Sequence, residues 1–300
     1  MPKYIESKNI DKSRWDQCVS FSKSPLVYGY SWYLDLVSPG WCGIIMEDYS
    51  AVMPLPVKKK YGINYIIQPR FTQQLGIFAP ENYGDKEINE FVEAIPRFYR
   101  FIDINLNYSN NPVDLSIVKT LNTNYELELS RQTDKIRENY SENTRRNLQK
   151  ADLEIKITED IPLNEFLELL RNNSENYPVK ECYNWMKFFI ENLIQRKAGL
   201  ILGVFYKDKL CASVFLVNYG GRIYYLIPVS DKTGKEQRAM FVIIDHIIQK
   251  YAGSDFILDF EGSNLSGVAR FYAGFGAKPV NYPRVRINRL PFLFKLFVRK

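Results

Sequence analysis

Residues 199–229, GLILGVFYKDKLCASVFLVNYGGRIYYLIPV, contain three apolar stretches separated by two short polar turns. Each stretch has the length of a strand and is rich in Val, Ile, Tyr and Phe, which are typical of β-strands. The separators Lys207–Asp208–Lys209 and Tyr219–Gly220–Gly221 are short enough to reverse the chain between neighbouring strands. The sequence therefore predicts an antiparallel meander with strands at Gly199–Tyr206, Leu210–Asn218 and Arg222–Val229.

The flanking sequence predicts helices and further strands around this meander. Apolar residues recur at helical spacing after Pro162 and again before and after the meander. The predicted elements of the second half are a strand at Leu153–Thr158, a helix opened by Pro162, a helix at Glu181–Arg196, the three meander strands, a helix at Glu236–Tyr251, a strand at Phe256–Phe260, a helix at Leu265–Phe275 and a strand at Lys278–Asn288.

The first half repeats this order of elements without repeating the sequence. Its predicted elements are a strand at Lys3–Ser7, helices at Lys12–Phe21 and Tyr30–Val37, strands at Cys42–Glu47, Ala51–Val57 and Ile63–Gln68, a helix at Lys86–Tyr99, a strand at Phe101–Asn107, a short helix at Pro112–Leu121 and a strand at Tyr125–Leu129. We therefore predict an α/β (α+β) chain of two domains, 1–132 and 133–300, with residues 133–152 as a linking helix. Each domain would have a mixed, mostly antiparallel sheet flanked by helices.

Composition excludes several classes of protein. At 300 residues and 46% hydrophobic, the chain can form two domains with separate cores. The four cysteines have no metal-ligand spacing and there is a single histidine, His246, so we expect no metal site. The N-terminus lacks the apolar region of a signal peptide, and no run approaches the about 20 apolar residues of a membrane span. We expect a cytoplasmic protein.

Positive charge is concentrated at the C-terminus. The net charge is +6, and residues 281–300 contain six basic residues and no acid. Residues 290–300 also carry many apolar side chains, so this segment either contacts an anionic membrane peripherally, at the inner face, or packs back on its own domain as a closing helix. Nucleic-acid phosphates are the other anionic partner that such a charge distribution suits.

Three stretches resemble a known family: YSENTRRNLQKA at 140–151, DFEGSN…GVARFYAGFGA at 259–277 and YIIQPRFTQQLGIF at 65–78. Together with the repeated order of elements, they make the chain similar to tandem-GNAT acyltransferases, in particular the Fem-type aminoacyl transferases and related GNAT-like proteins of bacteria. The resemblance implies N-acyl transfer with no permanently bound cofactor. The co-substrate would be an acyl-CoA or an aminoacyl-tRNA, and the acceptor a small molecule or a cell-wall precursor.

The resemblance also implies where the donor binds. In the GNAT fold the fourth strand separates from the fifth, and exposed backbone amides meet the acyl carbonyl. Pro228 would mark that point in the second domain, because proline lacks an amide hydrogen. The phosphate-binding loop would be SDKTGKEQRAM, with Lys232, Gly234, Lys235 and Arg238 as donor-binding residues. Because it has one glycine where acyl-CoA-binding members have several, it is either a phosphate site or an ordinary solvated turn.

Asp259 and Glu261 end the strand that would face this gap. Two residues apart on a regular strand, both side chains leave by the same face, and mutual repulsion would raise one pKa towards the range of a catalytic base. We therefore take them as candidate catalytic residues. The structural alternative is that they cap the following helix or pair with Arg270.

Six residues are candidates for substrate binding: Arg70, Gln73, Gln74, Arg145, Tyr225 and Arg270. The first three are polar groups concentrated where the first domain's sheet should open. Arg145 is the cation left over on a helix whose other charges can pair with one another. Tyr225 lies on the fourth strand and Arg270 on the helix after the acids. For each of them a structural role in the core, a loop or a solvated face is the alternative.

Two functional hypotheses follow. The first is an N-acyltransferase that moves an acyl or aminoacyl group to an amine of a cell-envelope precursor or a small metabolite, with tRNA as a partner if the donor is aminoacyl-tRNA. The second is a non-catalytic binding protein that keeps the fold but has lost donor binding, which the single glycine of the 231–238 loop favours.

Overall fold

The structure, a computed structural model, describes residues 1–112, 116–151, 154–159, 161–173, 179–262 and 264–290. The expected membrane or closing segment at 290–300 therefore lies almost wholly outside the described residues. The chain forms two compact units, one of residues 1–123 with 281–290 and one of residues 124–280. No helix among the described residues is long and apolar enough to cross a bilayer.

The first unit contains two groups of strands. The elements that begin in this unit are β1 (Lys3–Ile5), α1 (Lys12–Ser20), α2 (Ser31–Val37), β2 (Cys42–Ile45), β3 (Val52–Leu55), β4 (Val57–Lys60), β5 (Ile63–Ile67), α3 (Asp85–Glu93), β6 (Tyr99–Asn105) and β7 (Val118–Glu128). The last strand of the chain, β13 (Lys278–Asn288), also pairs in this unit. Strands β1, β2 and β3 form an antiparallel sheet, while the order β4–β5–β6–β13 contains one parallel pair, β5 with β6.

The second unit contains the predicted meander. Its elements are α4 (Thr133–Arg137), α5 (Glu142–Gln149), β8 (Ile155–Thr158), α6 (Leu163–Asn173), α7 (Val179–Gln195), β9 (Gly199–Tyr206), β10 (Lys209–Tyr219), β11 (Arg222–Ser230), α8 (Lys232–Glu236), α9 (Ala239–Tyr251), β12 (Ile257–Asp259), α10 (Ser266–Ala273) and the start of β13 (Lys278–Asn288), of which residues 281–288 belong to the first unit. Its strands follow the order β7–β12–β11–β10–β9–β8, in which only β11 and β12 are parallel.

The α/β class and the mixed, mostly antiparallel sheets are confirmed. Each unit has its own apolar core. The helix α9 places Ile243, Ile244, Ile247 and Ile248 in the core of the second unit. In the first unit, α3 contributes Ile88, Phe91 and Val92 to the core. The helical spacing seen in the sequence therefore marks the buried faces of both helices.

Several predicted helices are shorter or divided. The helix predicted at Lys86–Tyr99 ends at Glu93, because Pro96 cannot continue it and Tyr99 already begins β6. The linking helix is two helices, since Ser141 starts a new one by accepting a hydrogen bond from the Thr144 N–H at 3.1 Å. The strand predicted at Ala51–Val57 is interrupted at Pro56, so that β3 and β4 are separate.

The helix predicted at Pro112–Leu121 is wrong over its second half. Residues 113–115 lie outside the described residues, and Val118 begins the strand β7. The sequence TLNTN has β-branched and asparagine residues, which favour a helix poorly. Pairing of Glu126–Glu128 with Ile257–Asp259 then fixes the end of this segment as a strand.

The predicted domains 1–132 and 133–300 differ from the two units at both ends of the second domain. Residues 124–132 lie in the second unit and residues 281–290 in the first. The reason is strand pairing: Glu126–Glu128 pair with β12, and Arg284–Asn288 pair with β6.

Candidate functional site

The C-terminal end of β12 in the second unit carries a buried cluster of charged groups around Asp259. Its carboxylate accepts hydrogen bonds from Arg222 Nη1 at 2.8 Å, from Asn124 Nδ2 at 2.9 Å and from the Glu261 N–H at 3.0 Å. Arg222 Nη1 also lies 2.7 Å from Glu126 Oε1. Asp259 and Asn124 are completely buried, so a substrate cannot reach this carboxylate directly.

Glu126 is the second carboxylate of this cluster. Burial raises the pKa of Glu126, although the Arg222 guanidinium acts in the opposite direction. One arginine between two carboxylates leaves the cluster with a negative charge when both acids are ionised. Asn124 shares its Nδ2 between Asp259 and Glu126, at 2.9 and 3.3 Å, and supplies further hydrogen bonding.

Glu261 occupies a different environment from Asp259. The strand ends at Asp259, and Glu261 has φ +58° and is followed by Gly262 at φ +56°. A glutamate in the left-handed region is uncommon and costs conformational energy. The expectation that both acids leave the same face of a regular strand is therefore wrong: Asp259 enters the buried cluster, and a turn holds Glu261 half-buried.

The cause of the raised pKa of Glu261 also differs from the one expected from the sequence. Burial raises the pKa of Glu261 to about 8, and the charge of Asp259 is not the cause. At neutral pH this side chain is mostly protonated, and it loses its proton near the pH at which many amines begin to be neutral. Among the two acids predicted from the sequence, Glu261 is the one whose pKa suits a general base.

Strands β11 and β12 separate immediately beyond Tyr224. The parallel pairing covers Arg222–Tyr224 with Ile257–Asp259 and stops there. Leu226 has no opposite residue on β10, because the register shifts at this point, which marks a β-bulge. Pro228 follows two residues later and is paired with Val214 on β10. The separation expected near Pro228 therefore begins earlier, at the bulge.

The loop after β11 is folded into a helical turn. Asp231 is the N-cap residue of α8, and its Oδ1 accepts a hydrogen bond from the Gly234 N–H at 2.7 Å. The Gly234 amide therefore already has a hydrogen-bond acceptor within the protein. Gly234 is closely packed, since a Cβ there would lie 2.4 Å from the Cys211 carbonyl oxygen. Lys232 extends into solvent and Lys235 follows in the last turn of α8.

Arg238 separates α8 from α9, so the predicted helix Glu236–Tyr251 is divided. Its backbone is left-handed with φ +63°, and its Nη1 donates to the Lys235 carbonyl at 2.8 Å. No side chain caps the first turn of the 13-residue helix α9. The positive end of this helix thus begins directly after Arg238 and follows α8 with its two lysines.

The first unit has a polar cavity of about 280 Å³ at the ends of the parallel strands β5 and β6. Arg284 and Arg286 both donate to the Asp103 carboxylate, at 2.6 to 2.9 Å. The cavity is lined by Ile67, Gln68, Asp103, Asn105, Asn122 and Arg284.

The predicted substrate-binding residues of the first unit adjoin this cavity through one loop. Asn105 Nδ2, from the cavity wall, donates to the Gln73 carbonyl at 2.8 Å. Gln74 is completely buried and holds the loop, with its Nε2 on Gln73 Oε1 at 2.6 Å and its Oε1 on the Tyr108 N–H at 3.0 Å. Arg70 is exposed.

The other three predicted substrate-binding residues are dispersed. Arg145 donates from Nη2 to the Glu138 carbonyl at 2.8 Å and so links α5 to the end of α4. Tyr225 is buried in the core, with its ring 6.0 Å from that of Phe260. Arg270 is exposed on α10, and the cation that pairs with Asp259 is Arg222. The alternative pairing of the acids with Arg270 is therefore wrong for Asp259.

Sequence reasoning missed the partners of Asp259. Arg222 had a visible signal, because it is a single cation at the start of an otherwise apolar strand. Glu126 lies in the strand predicted at Tyr125–Leu129 and Asn124 directly before it, but no sequence signal indicates that this strand pairs with β12. Pairing between strands more than 130 residues apart brings them to Asp259.

Comparison with known proteins agrees with this geometry. Residues 134–265 match the family model of the acetyltransferase (GNAT) domain. No curated protein has a significantly similar sequence.

Solved structures resemble the chain over nearly its whole length. FemX superposes with a TM-score of 0.63 at 12% identity, covering 96% of this chain and 98% of FemX. A tandem GNAT protein from the clavulanic acid biosynthesis pathway gives 0.57 at 8%, covering 97% and 99%. The C-terminal domain of a putative lysylphosphatidylglycerol synthetase from Agrobacterium fabrum gives 0.52 at 10%, covering 96% and 94%.

At such identities the likeness concerns the fold. The GNAT match covers α4 to β12, and therefore includes the bulged strand, the loop after it and Asp259 and Glu261. The chain accordingly has the fold of FemX and of the tandem GNAT protein, and its residues 134–265 match the acetyltransferase (GNAT) domain.

Proposed function

We propose that the second unit catalyses transfer of an acyl group from a thioester donor, acyl-CoA, to a primary amine. The observation that carries the proposal is the position of Glu261, a half-buried acid at the point where β11 and β12 separate. The match of residues 134–265 to the GNAT domain supports the reaction class.

The donor would lie along the open edge of β11. Beyond Tyr224, the β12 side of this strand has no strand partner among the described residues. Backbone N–H groups around the bulge at Leu226 would donate to the thioester carbonyl oxygen and stabilise the oxyanion. The pyrophosphate would meet the uncapped start of α9, with Lys235 and Arg238 as its cations. Lys232 would contact the more exposed phosphate.

The chemical step needs a neutral amine and a proton acceptor. The amine nitrogen attacks the thioester carbon, a C–N bond forms and the carbonyl π electrons move to oxygen. Glu261, ionised above its raised pKa, takes the proton that the amine loses. The intermediate then collapses, the C–S bond breaks and the CoA thiolate leaves and is protonated. Asp259 would act as a positioning residue, since its Oδ1 accepts the Glu261 N–H.

We further propose that the polar cavity of the first unit holds the polar part of a substrate. The cavity is lined in part by Arg284, whose side chain is 40% exposed although it pairs with Asp103. Arg70 on the adjoining loop is a second exposed cation. These groups suit a carboxylate or a phosphate of a small metabolite or a cell-envelope precursor.

Release of free thiol from acyl-CoAs in the presence of a panel of amines tests the reaction. We expect turnover with at least one amine class, and we expect Glu261→Gln to lower kcat by about a hundredfold or more. The matched control is Glu128→Gln, since Glu128 is an exposed acid of the same unit. Full turnover by Glu261→Gln would remove this residue from the mechanism.

The donor is the second variable in the same assay. Because FemX shares the fold, aminoacyl-tRNA is tested beside acyl-CoA. The non-catalytic alternative is favoured by one specific observation: the single glycine of the loop has its N–H committed to Asp231 and not directed at a phosphate. Absence of binding and turnover with both donors would support that alternative and contradict the proposed transfer.

A further inference from the structure

One end of the first unit gathers six cations. Strand β4 ends with Lys58, Lys59 and Lys60, and it is antiparallel to β5. Strand β6 begins near Arg97 and Arg100, and its first residues pair with the start of β5. Arg289 follows β13, and its N–H donates to the Arg100 carbonyl at 2.7 Å. The ends of four strands therefore bring these side chains together.

The six cations are not neutralised by acids of the described residues. The ion pairs of the first unit involve Lys3, Lys8, Lys12, Arg284 and Arg286, and none involves a member of this group. Arg289 has a buried Nη1 with no hydrogen-bond partner in the described part of the chain.

Like charges repel one another within the group. Burial, together with the positive charges of Arg97 and Arg100, lowers the pKa of Arg289. A set of guanidinium groups held in this way is stabilised by an anion that accepts their hydrogen bonds.

Two exposed aromatic residues accompany the cations. Tyr61, in the turn between β4 and β5, is 88% exposed, and Lys60 Nζ lies 5.3 Å from its ring centre. Phe98, next to Arg97, is 50% exposed. Aromatic side chains interspersed with Lys and Arg are typical of surfaces that enter the headgroup region of a bilayer.

The sequence that follows Arg289 has the same chemistry. Residues 290–300, LPFLFKLFVRK, combine apolar and basic residues without an acid. Leu290, the first of these residues, directly follows Arg289 of the six cations. This continuity favours a lipid surface over RNA, because protein surfaces that bind the phosphate backbone of RNA do not need large aliphatic residues.

We infer that this end of the first unit, comprising Lys58–Lys60, Arg97, Arg100 and Arg289 with Tyr61 and Phe98, docks on an anionic lipid bilayer. The cations would contact lipid phosphates, and the two aromatic side chains would enter the interface. This binding needs no turnover, so its test is independent of the proposed acyl transfer.

Sedimentation of the full chain with vesicles of phosphatidylcholine, with or without phosphatidylglycerol, tests the inference. We expect binding only to vesicles that contain phosphatidylglycerol, and release at about 0.5 M salt because the contacts are electrostatic. Arg97→Gln with Arg100→Gln and Arg289→Gln should lower the partition coefficient at least about tenfold. Because Arg289 is partly buried, Lys58→Gln with Lys59→Gln and Lys60→Gln is a second variant made only at exposed positions.

The matched control removes the same charge from the same unit. Lys3→Gln, Lys8→Gln and Lys12→Gln neutralise three lysines that are paired with acids, and we expect binding within about twofold of the wild type. Equal losses in the control and test variants would overturn the inference. So would loss of binding on deletion of residues 291–300 with no effect of either test variant, or binding of these cations to RNA but not to vesicles.

Discussion

Two acids that look equivalent in the sequence have distinct environments in the structure. Asp259 is completely buried and accepts three hydrogen bonds, whereas Glu261 is held half-buried by a left-handed backbone. The spacing of the two acids indicated the right place in the fold. It could not indicate their roles, because the strand ends between them and because the partners of Asp259 come from distant strands.

Replacement of Asp259 should affect stability. Asp259→Asn removes one of the two carboxylates that pair with the buried Arg222 among the described residues, and we expect the free energy of unfolding to fall by about 2 to 4 kcal/mol. Denaturant unfolding monitored by circular dichroism checks this. The control is Asp208→Asn, because Asp208 is an exposed partner of Lys156 and should change stability by less than about 1 kcal/mol. Equal stability of Asp259→Asn and the wild type would contradict the buried ion pair.

Stability should also depend on pH through Glu261. Burial raises the pKa of Glu261 to about 8 from the ordinary glutamate value of 4.5, so between these values the unfolded state ionises while the folded state stays protonated. The folded state therefore loses stability as pH rises through this window, and the loss is complete above about 8. Glu261→Gln should be more stable than the wild type at pH 9 by about 1 to 2 kcal/mol, allowing for partial solvent exposure. At pH 4 the two proteins should be similar, and a constant difference across the range would exclude the raised pKa.

At the level of elements, alternation and helical spacing predicted most of what the structure contains. The strands Gly199–Tyr206 and Lys278–Asn288 have the predicted bounds, because each is a long stretch with apolar residues bounded by turns. The errors lie where local pattern is weak. Alternation predicts a strand only over Tyr125–Leu129, and the first half of the segment that forms β7 has little alternation. The division at Arg238 depends on a left-handed residue that no spacing rule reveals.

Two glycines allow a matched test of the loop after β11. Gly234→Ala would place a Cβ 2.4 Å from a carbonyl oxygen, and we expect a loss of about 1 to 3 kcal/mol and a displaced α8. Gly267→Ala in α10 meets no atom within 4 Å, so it should stabilise the protein by about 0.5 to 1 kcal/mol through helix propensity. Thermal unfolding of the two variants checks the difference in sign. A neutral Gly234→Ala would show that α8 is not fixed by this packing.

At the scale of the whole molecule, the two units have similar but not identical orders of elements, and they carry different candidate ligand-binding features. The second unit has the bulged strand, the raised pKa of Glu261 and the positive end of α9. The first unit has the polar cavity and the cationic end. The repeated order of elements allowed the tandem fold to be predicted from the sequence. The pairing of β7 with β12 and of β13 with β6 could not be predicted, because neither β7 nor β13 carries a signal of which strand it pairs with.

The central claim is that an acyl donor binds along β11 and the start of α9. The most direct measurement is hydrogen exchange of the full chain with and without a thioether analogue of acyl-CoA, which binds but cannot transfer its acyl group. We predict slower exchange of backbone amides in residues 225–242, together with a rise in melting temperature that increases with ligand concentration. Unchanged exchange in these residues at saturating analogue, or protection confined to other parts of the chain, would contradict the account.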